Sequence, residues 1–261
     1  MSLFYRFALL GDPVSHSRSP AIHRAALRLT DLEGDYVALR ADERILVDAV
    51  EQLRSGSLDG INVTMPLKGA AFEIADRRTP LAELARSVNT LYRSEAGVEG
   101  DSTDAAAFAA IVEEGDFRRA EEFLVLGAGG SAAAALAALE GRKVWVSARN
   151  AERAQALAGR LGASGVIPWG QALRGSVLIN ATPLGMAANS LPEGLLEVSI
   201  GLIDLPYGSS PTPAVEAARA AGLPVVDGIE FLTRQAVLSF QRWTGRSVDF
   251  ERLAEAVRGS P

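Results

Sequence analysis

The sequence predicts an α/β protein of two domains, one of which contains a doubly wound parallel sheet. Its 261 residues exceed one typical domain, so one large or two modest domains both fit the length. Short apolar segments typical of strands alternate with amphipathic segments typical of helices, which is the order of layered α/β folds. Hydrophobic residues make up 48% of the chain and charged residues 22%, the balance of a folded globular protein.

The first hundred residues form the first predicted unit. An apolar segment over residues 4–10 is closed by Gly-Asp-Pro at 11–13, which predicts a strand followed by a loop. Ser19 and Pro20 predict a helix start, with the serine as the cap and the proline in the first turn. Strands are predicted over residues 36–39 and 60–63, with a helix over about 43–53 between them.

The second predicted unit begins near Asp104, where strands and helices alternate with short connections. Strands are predicted over residues 122–126, 143–147, 177–180, 202–204 and 224–226, and helices over 105–112, from about 130 to 139, and over 151–161. This alternation indicates a parallel, doubly wound sheet. The tail over residues 231–258 is predicted to be helical, with an interruption at Gly245.

Composition excludes several classes of protein. A net charge of −6 argues against a nucleic-acid partner, and no apolar run reaches the roughly 18 to 20 residues of a membrane span. The first residues lack the apolar core of a signal peptide. Cysteine is absent, which excludes disulfides and thiolate chemistry and fits a cytoplasmic location. His16 and His23 are the only histidines, so we expect no metal site.

A glycine-rich turn follows the strand over 122–126 and leads into a helix. Glycines at this place allow a tight turn and let backbone N–H groups approach a pyrophosphate at the helix N-terminus. Because the turn follows a strand and lies within a βαβ unit, it predicts a Rossmann-like dinucleotide-binding domain rather than a plain turn. The predicted phosphate-binding residues are Gly127, Ala128, Gly129, Gly130 and Ser131.

The end of the next strand favours NADP over NAD. An NAD site usually carries an acidic residue there, which binds the ribose 2′-hydroxyl, but this strand ends in Ala148-Arg149-Asn150, with Arg153 one helical turn later. A guanidinium can bind a 2′-phosphate through two parallel hydrogen bonds. The alternative is that both arginines are solvated residues on the helix surface.

Four polar motifs lie in the first half of the chain. Ser17 and Ser19 lie in a loop that opens a helix and could bind a carboxylate; helix capping could explain Ser19 but leaves Ser17 without a role. Lys68 follows the strand over 60–63, where an isolated lysine is most often a solvated surface residue. The other two motifs are Ser87-Val-Asn89-Thr90 and Gly100-Asp-Ser-Thr-Asp104.

In their order these motifs resemble the shikimate dehydrogenase family over nearly the whole chain. The resemblance rests on His16-Ser-Arg-Ser-Pro20, Asn62-Val-Thr-Met-Pro-Leu-Lys68, Val88-Asn-Thr90, Thr103-Asp104, the turn from Gly127 to Gly130, Asn180-Ala-Thr-Pro-Leu-Gly-Met186 and Asp204-Leu-Pro-Tyr207, followed by Gly228 and Gln235. Each motif is short, but chance does not explain all of them in this order.

The resemblance implies a role for each matching residue. It implies NADP-dependent, reversible reduction of 3-dehydroshikimate to shikimate, a step in the biosynthesis of chorismate and aromatic amino acids. Lys68 would be the acid–base group beside Asp104. The substrate carboxylate would be held by Ser17 and Ser19, and its ring hydroxyls would be bound by Thr64, Asn89, Asp104 and Gln235. Tyr207 would line the substrate pocket. The residues along the nicotinamide would be Ala181, Thr182, Pro183, Leu205 and Gly228.

The resemblance also implies two domains with different roles. Residues 1–103, completed by C-terminal helices within 230–261, would form an α/β substrate-binding and catalytic domain. Residues 104–229 would form the Rossmann-like NADP-binding domain. The protein would act on a small molecule as a monomer or a homodimer, with no nucleic-acid or membrane partner.

Some positions depart from the usual family pattern, and some alternatives stay open. Ser102 replaces a common asparagine, Ala148 and Asn150 flank Arg149 in place of Asn and Thr, and Phe231 stands where methionine is frequent. A quinate/shikimate dehydrogenase that uses NAD is one alternative, and a non-catalytic dinucleotide-binding regulator is another. Lys68 could carry a proton, or it could act mainly through its charge.

Overall fold

The computed structural model describes residues 4–186, 189–208 and 210–258. The chain forms two compact units: one runs to Asp104 and resumes at Leu232, and the other spans Ala105–Phe231. Each unit is built around one six-stranded sheet. Both boundaries fall inside a helix, so the chain passes from one unit to the other without a loop.

The sheet of the first unit is mixed. Its strands are β1 (Phe4–Gly11), β2 (Glu33–Arg40), β3 (Gly60–Val63), β4 (Arg77–Arg78), β5 (Thr90–Ser94) and β6 (Gly97–Asp101). They lie in the order β2-β1-β3-β5-β6-β4. β1 pairs in parallel with β2 and with β3, whereas β5 pairs antiparallel with β3 and with β6. The carboxyl ends of β1 and β3 therefore lie at the same edge of the sheet.

Helices cover both faces of this sheet. They are α1 (Ser19–Leu29), α2 (Glu43–Ser55), α3 (Lys68–Ile74), α4 (Pro80–Ala85), α9 (Gly228–Thr244) and α10 (Phe250–Arg258). α2 buries Leu46, Val50 and Leu53 in an apolar cluster with Leu10 and Ile61 of the strands. On the other face, α9 contributes aromatic side chains to a second cluster of rings.

The aromatic cluster contains Phe7, His23, Tyr36, Phe240 and Trp243. The His23 ring stacks on Tyr36 with 4.4 Å between centroids, and the Trp243 ring lies 5.0 Å from His23. His23 is fully buried, and neither of its ring nitrogens has a hydrogen-bond partner among the described residues. Burial lowers the pKa of His23 to about 3, which a weaker interaction with Asn62 opposes. The imidazole is therefore a neutral core ring.

The sheet of the second unit is entirely parallel. The elements of this unit are α5 (Thr103–Glu114), β7 (Glu122–Leu126), α6 (Gly130–Ala138), β8 (Lys143–Ser147), α7 (Ala151–Leu161), β9 (Gly165–Val166), β10 (Val177–Asn180), β11 (Gly201–Asp204), α8 (Pro213–Ala220) and β12 (Val225–Val226). The strands lie in the order β12-β11-β10-β7-β8-β9. The order reverses between β7 and β10, and ligands of open α/β sheets bind at the carboxyl ends of strands at such a point.

Helix ends follow the local sequence. Asp42 caps α2 by accepting the Ile45 N–H at 2.9 Å, and Asn150 caps α7 by accepting the Arg153 N–H at 2.9 Å. The predicted cap at Ser19 is wrong, because Arg18 occupies the cap position of α1 and Ser19 is already helical. Among the described residues, no helix is both long and apolar enough to cross a bilayer.

Candidate active site

Lys68 and Asp104 form a buried ion pair in the first unit. Lys68 opens α3, just after β3, and Asp104 lies in the first turn of α5. The Lys68 Nζ lies 2.5 Å from the Asp104 Oδ2, and the two side chains are only 14% and 9% exposed. Lys68 is therefore not a solvated surface lysine. The helix N-terminus further favours the Asp104 carboxylate.

Asn89 holds the second oxygen of this carboxylate. Its Nδ2 donates to the Asp104 Oδ1 at 3.0 Å, while its Oδ1 accepts the Thr103 N–H at 2.8 Å. These two partners fix the orientation of the Asn89 amide. A flipped amide would place its NH₂ group against the Thr103 N–H and its oxygen against the Asp104 carboxylate. Asp104 therefore has a partner on each oxygen.

Gln235 and Thr64 lie beside this group on other elements. The Gln235 Oε1 accepts from the Asn89 Nδ2 at 3.3 Å, and the Gln235 Nε2 donates to the Leu232 carbonyl at 2.7 Å. Thr64 directly follows β3, whose last residue, Val63, donates its N–H to the Asn89 carbonyl at 2.8 Å. Sequence positions 64, 68, 89, 104 and 235 are thus brought to one region of the first unit.

Ser17 and Ser19 lie in the loop between β1 and α1. The Ser19 N–H donates to the Ser17 Oγ at 3.2 Å, and Ser19 is buried whereas Ser17 is half-buried. Since β1 and β3 end at the same edge, this loop and Thr64 leave the sheet side by side. The Asp12 N–H joins the two loops by donating to the Met65 carbonyl at 2.9 Å.

The glycine-rich turn lies at the strand-order reversal of the second unit, at the carboxyl end of β7. Gly127 has φ +114°, and a Cβ there would lie 2.9 Å from the Ala181 carbonyl oxygen, so the fold itself requires this glycine. Gly129 is different. Its φ of −96° suits any residue, and a Cβ there would meet no atom within 4 Å. The space beside Gly129 is open to a ligand.

The predicted 2′-phosphate residues lie after β8. Ala148 is half-buried, and Arg149 and Arg153 are exposed, the latter in the first turn of α7. Within the described part of the chain, neither guanidinium forms an ion pair. Both charges are available to an anion.

A buried network fixes the loop after β10, which carries Ala181, Thr182 and Pro183. The Asn180 Nδ2 donates to the Asp204 Oδ1 at 2.7 Å, and the Asn180 Oδ1 accepts the Thr182 hydroxyl at 2.6 Å. Thr212 donates to the other Asp204 oxygen at 2.5 Å. Burial raises the pKa of Asp204, and the bonds from Thr212 and Asn180 oppose that shift. The sequence motifs assign no role to Asn180 or Asp204, although each is a polar residue at the end of a buried strand, which is a signal for a functional site.

The segment after β11 contains Leu205 and Tyr207, both half-buried. The Leu205 N–H donates to the Asn180 carbonyl at 3.1 Å. Gly228 opens α9, and a Cβ there would lie 2.5 Å from the Leu205 carbonyl oxygen, with that of Pro206 closer still. Backbone packing therefore requires a glycine at 228. No group of three or more metal-binding side chains lies together in the described parts of the chain.

Comparisons with known proteins identify the family. A model of the shikimate dehydrogenase substrate binding domain matches residues 9–91, and one of the shikimate 5′-dehydrogenase C-terminal domain matches residues 228–258. A shikimate dehydrogenase (NADP(+)) of Thermus thermophilus is 38% identical over 97% of each chain. The chain belongs to the shikimate dehydrogenase family. The resemblance seen in the ordered motifs is thereby confirmed.

Other members of the shikimate dehydrogenase family are similar to this chain in sequence and in fold. An enzyme named shikimate dehydrogenase (NADP(+)) from an Anaeromyxobacter species is 36% identical over 96% of this chain and 95% of its own. A crystal structure of the Thermus thermophilus enzyme with NADP(H) and shikimate has a TM-score of 0.87 at 36% identity and covers 97% of this chain and 98% of its own. The predicted two-domain α/β fold with a Rossmann-like unit is confirmed. A 5-ketofructose reductase of Gluconobacter, at 24% identity and a TM-score of 0.85, shares the fold alone.

Proposed function

We propose that this chain is an NADP-dependent shikimate dehydrogenase, which reversibly reduces 3-dehydroshikimate to shikimate. The observation that carries the proposal is the buried Lys68–Asp104 pair, flanked by amide groups of Asn89 and Gln235. Together these side chains offer one cation and several hydrogen-bond donors and acceptors, which suits a ring that carries several hydroxyls and a ketone.

Reduction of a ketone requires a hydride at the carbon and a proton at the oxygen. Bound NADPH supplies the hydride. Lys68 donates the proton to the oxygen, or stabilises the negative charge that develops there, so that C=O becomes CH–OH. Asp104 holds the Lys68 ammonium in place at 2.5 Å. In the reverse direction the Lys68 amine accepts the hydroxyl proton.

Substrate binding is assigned to the first unit. Asn89, Asp104, Gln235 and Thr64 offer both donors and acceptors, which suits the ring hydroxyls. Ser17 and Ser19 present hydroxyls at the neighbouring loop, which suits the carboxylate. Residues 1–103 with helices in 230–261 would thus form the substrate-binding and catalytic domain. Tyr207 is proposed as a further substrate contact.

Cofactor binding is assigned to residues 104–229. The open space beside Gly129 supports pyrophosphate binding at the start of α6, by the segment that includes Gly127, Ala128, Gly130 and Ser131. Arg149 and Arg153, with Ala148, would receive the 2′-phosphate. We assign the nicotinamide side to Ala181, Thr182, Pro183, Leu205 and Gly228. A cytoplasmic location and a monomeric or dimeric state stay predictions from the sequence.

The decisive experiment follows the nicotinamide absorbance with shikimate and with quinate, each against NADP and NAD. We expect activity mainly with shikimate and NADP. Comparable rates with quinate and NAD would instead support the quinate/shikimate alternative. Binding of NADP without turnover in all four combinations would support a regulator and overturn the proposed reaction.

A further inference from the structure

Three buried hydroxyl groups form a closed triangle behind the candidate substrate site. They belong to Thr90 at the start of β5, Thr103 at the start of α5 and Ser239 in α9. The Oγ atoms of Thr90 and Thr103 are 2.9 Å apart, those of Thr90 and Ser239 2.9 Å, and those of Thr103 and Ser239 3.1 Å. All three residues are completely buried. We call this set the hydroxyl triangle.

Each vertex is a chain neighbour of a proposed substrate ligand. Thr90 follows Asn89 directly and Thr103 precedes Asp104 directly. Ser239 lies one helical turn after Gln235 and donates to its carbonyl at 3.0 Å. The triangle therefore joins the three elements that carry these ligands.

The triangle also contacts the ligand side chains themselves. The Asn89 Nδ2 donates to the Thr103 Oγ1 at 2.9 Å, and the Thr103 Oγ1 reaches the Gln235 Oε1 at 3.5 Å. Behind the triangle, the Asn62 Nδ2 lies 3.1 Å from both the Thr90 and the Ser239 hydroxyls. Tyr36 fixes this second amide by donating its hydroxyl to the Asn62 Oδ1 at 2.9 Å.

Core packing alone does not call for such a set. A buried hydroxyl is costly unless it is bonded, and apolar side chains of similar size would fill the same volume. Ser239 donates its single hydroxyl proton to the Gln235 carbonyl, so its Oγ acts as an acceptor within the triangle. Removal of a vertex therefore leaves the remaining buried hydroxyls with fewer hydrogen-bond partners. Such an arrangement defines the spacing of the elements that it joins.

We propose that Thr90 and Ser239 are positioning residues for substrate recognition, acting through the hydroxyl triangle. They fix Asn89, Asp104 and Gln235 at the spacing that the substrate ring hydroxyls require, without touching the substrate. This inference rests on the proposed function. The proposed effect is on affinity for the shikimate ring. Loss of the Thr90 or the Ser239 hydroxyl therefore raises the KM for shikimate and leaves the KM for NADP unchanged.

The test uses the full chain and paired variants. Thr90→Val removes the hydroxyl at constant shape, Thr90→Ser keeps it, and Ser239→Ala removes a second vertex without adding bulk. The control is Ser176→Ala, because Ser176 is equally buried but bonds to the Leu173 carbonyl at 2.8 Å, at the amino end of β10. Steady-state kinetics for both substrates and thermal unfolding are measured for each variant.

We expect Thr90→Val and Ser239→Ala to raise the KM for shikimate about three- to tenfold, the effect of one lost buried hydrogen bond. Thr90→Ser should stay within about twofold of wild type, and Ser176→Ala should lower only the unfolding temperature. A wild-type KM in both loss variants, with reduced stability, would overturn the inference and leave the reaction standing. A wild-type protein that neither binds nor oxidises shikimate would overturn both. If Thr90→Val does not fold, Ser239→Ala decides.

Discussion

Replacing Lys68 by methionine gives the sharpest test of the proposed chemistry. The variant keeps the apolar stem of the side chain and removes the ammonium group. Asp104 then loses the partner on its Oδ2 but keeps the Asn89 amide on its Oδ1 at 3.0 Å. The perturbation therefore removes one charge from a pair whose side chains are 14% and 9% exposed.

Two magnitudes follow from this geometry. A positioned proton donor contributes roughly 10²- to 10⁴-fold to the rate, so kcat should fall by that factor. Loss of one member of a fully buried pair costs about 3–5 kcal/mol of stability. Because Asp104 keeps one amide and the start of a helix, we expect a cost of about 2–3 kcal/mol for Lys68→Met.

The assay is shikimate oxidation with NADP, together with urea unfolding. Lys68→Arg separates the two possible roles, because a guanidinium keeps the charge but cannot release a proton near neutral pH. Lys143→Met is the matched control, since that side chain is 65% exposed. Adding Asp104→Asn to Lys68→Met should recover about 1–3 kcal/mol relative to the sum of the single effects. A kcat within a few-fold of wild type in Lys68→Met would refute the assignment of Lys68.

Three further outcomes are expected. Gly129→Ala should raise the KM for NADP about tenfold at unchanged stability, whereas Gly127→Ala should cost about 1–3 kcal/mol of folding free energy; equal unfolding temperatures would contradict the distinction. Arg149→Ala with Arg153→Ala should raise the KM for NADP about ten- to a hundredfold but leave that for NAD, and a parallel rise in both would remove the 2′-phosphate role. His23 is protonated in the unfolded chain below about pH 6.5 but stays neutral in the fold down to about pH 3. Stability should therefore fall on acidification through that window, by on the order of 5 kcal/mol, and His23→Phe should flatten the profile measured by urea unfolding.

The parallel unit was predicted better than the mixed one. Strands over 122–126, 143–147 and 177–180 and the helix over 151–161 were predicted at the observed bounds. The strands of a parallel sheet are buried on both faces, so they appear in the sequence as continuous apolar runs that are easy to recognise. α8 was missed, although Thr212 and Pro213 supply a capping threonine and a first-turn proline.

The elements missed in the first unit are short and polar. β4 has two residues, and β5 and β6 form a hairpin whose outer residues are charged or exposed. α3 and α4 are seven and six residues long, below the length at which an apolar repeat can be recognised. These elements are stabilised by the sheet around them, so their local sequence carries little signal.

The choice of basic residue at position 68 is itself informative. The chain contains 24 arginines and only two lysines, Lys68 and Lys143. Among the described residues arginine supplies the cation of most ion pairs, as Arg242 does with Asp101 at 2.9 Å, whereas Lys143 pairs with Glu122 at 3.5 Å through an exposed side chain. Arginine would also be the better partner for a buried carboxylate, because its planar fork bonds both oxygens. The Lys68–Asp104 pair is the most buried ion pair in the parts of the chain that the structure describes, so a lysine at this position is poorly explained by structure alone. The proposed transfer of a proton between Lys68 and the substrate oxygen would explain the lysine, because arginine keeps its proton near neutral pH.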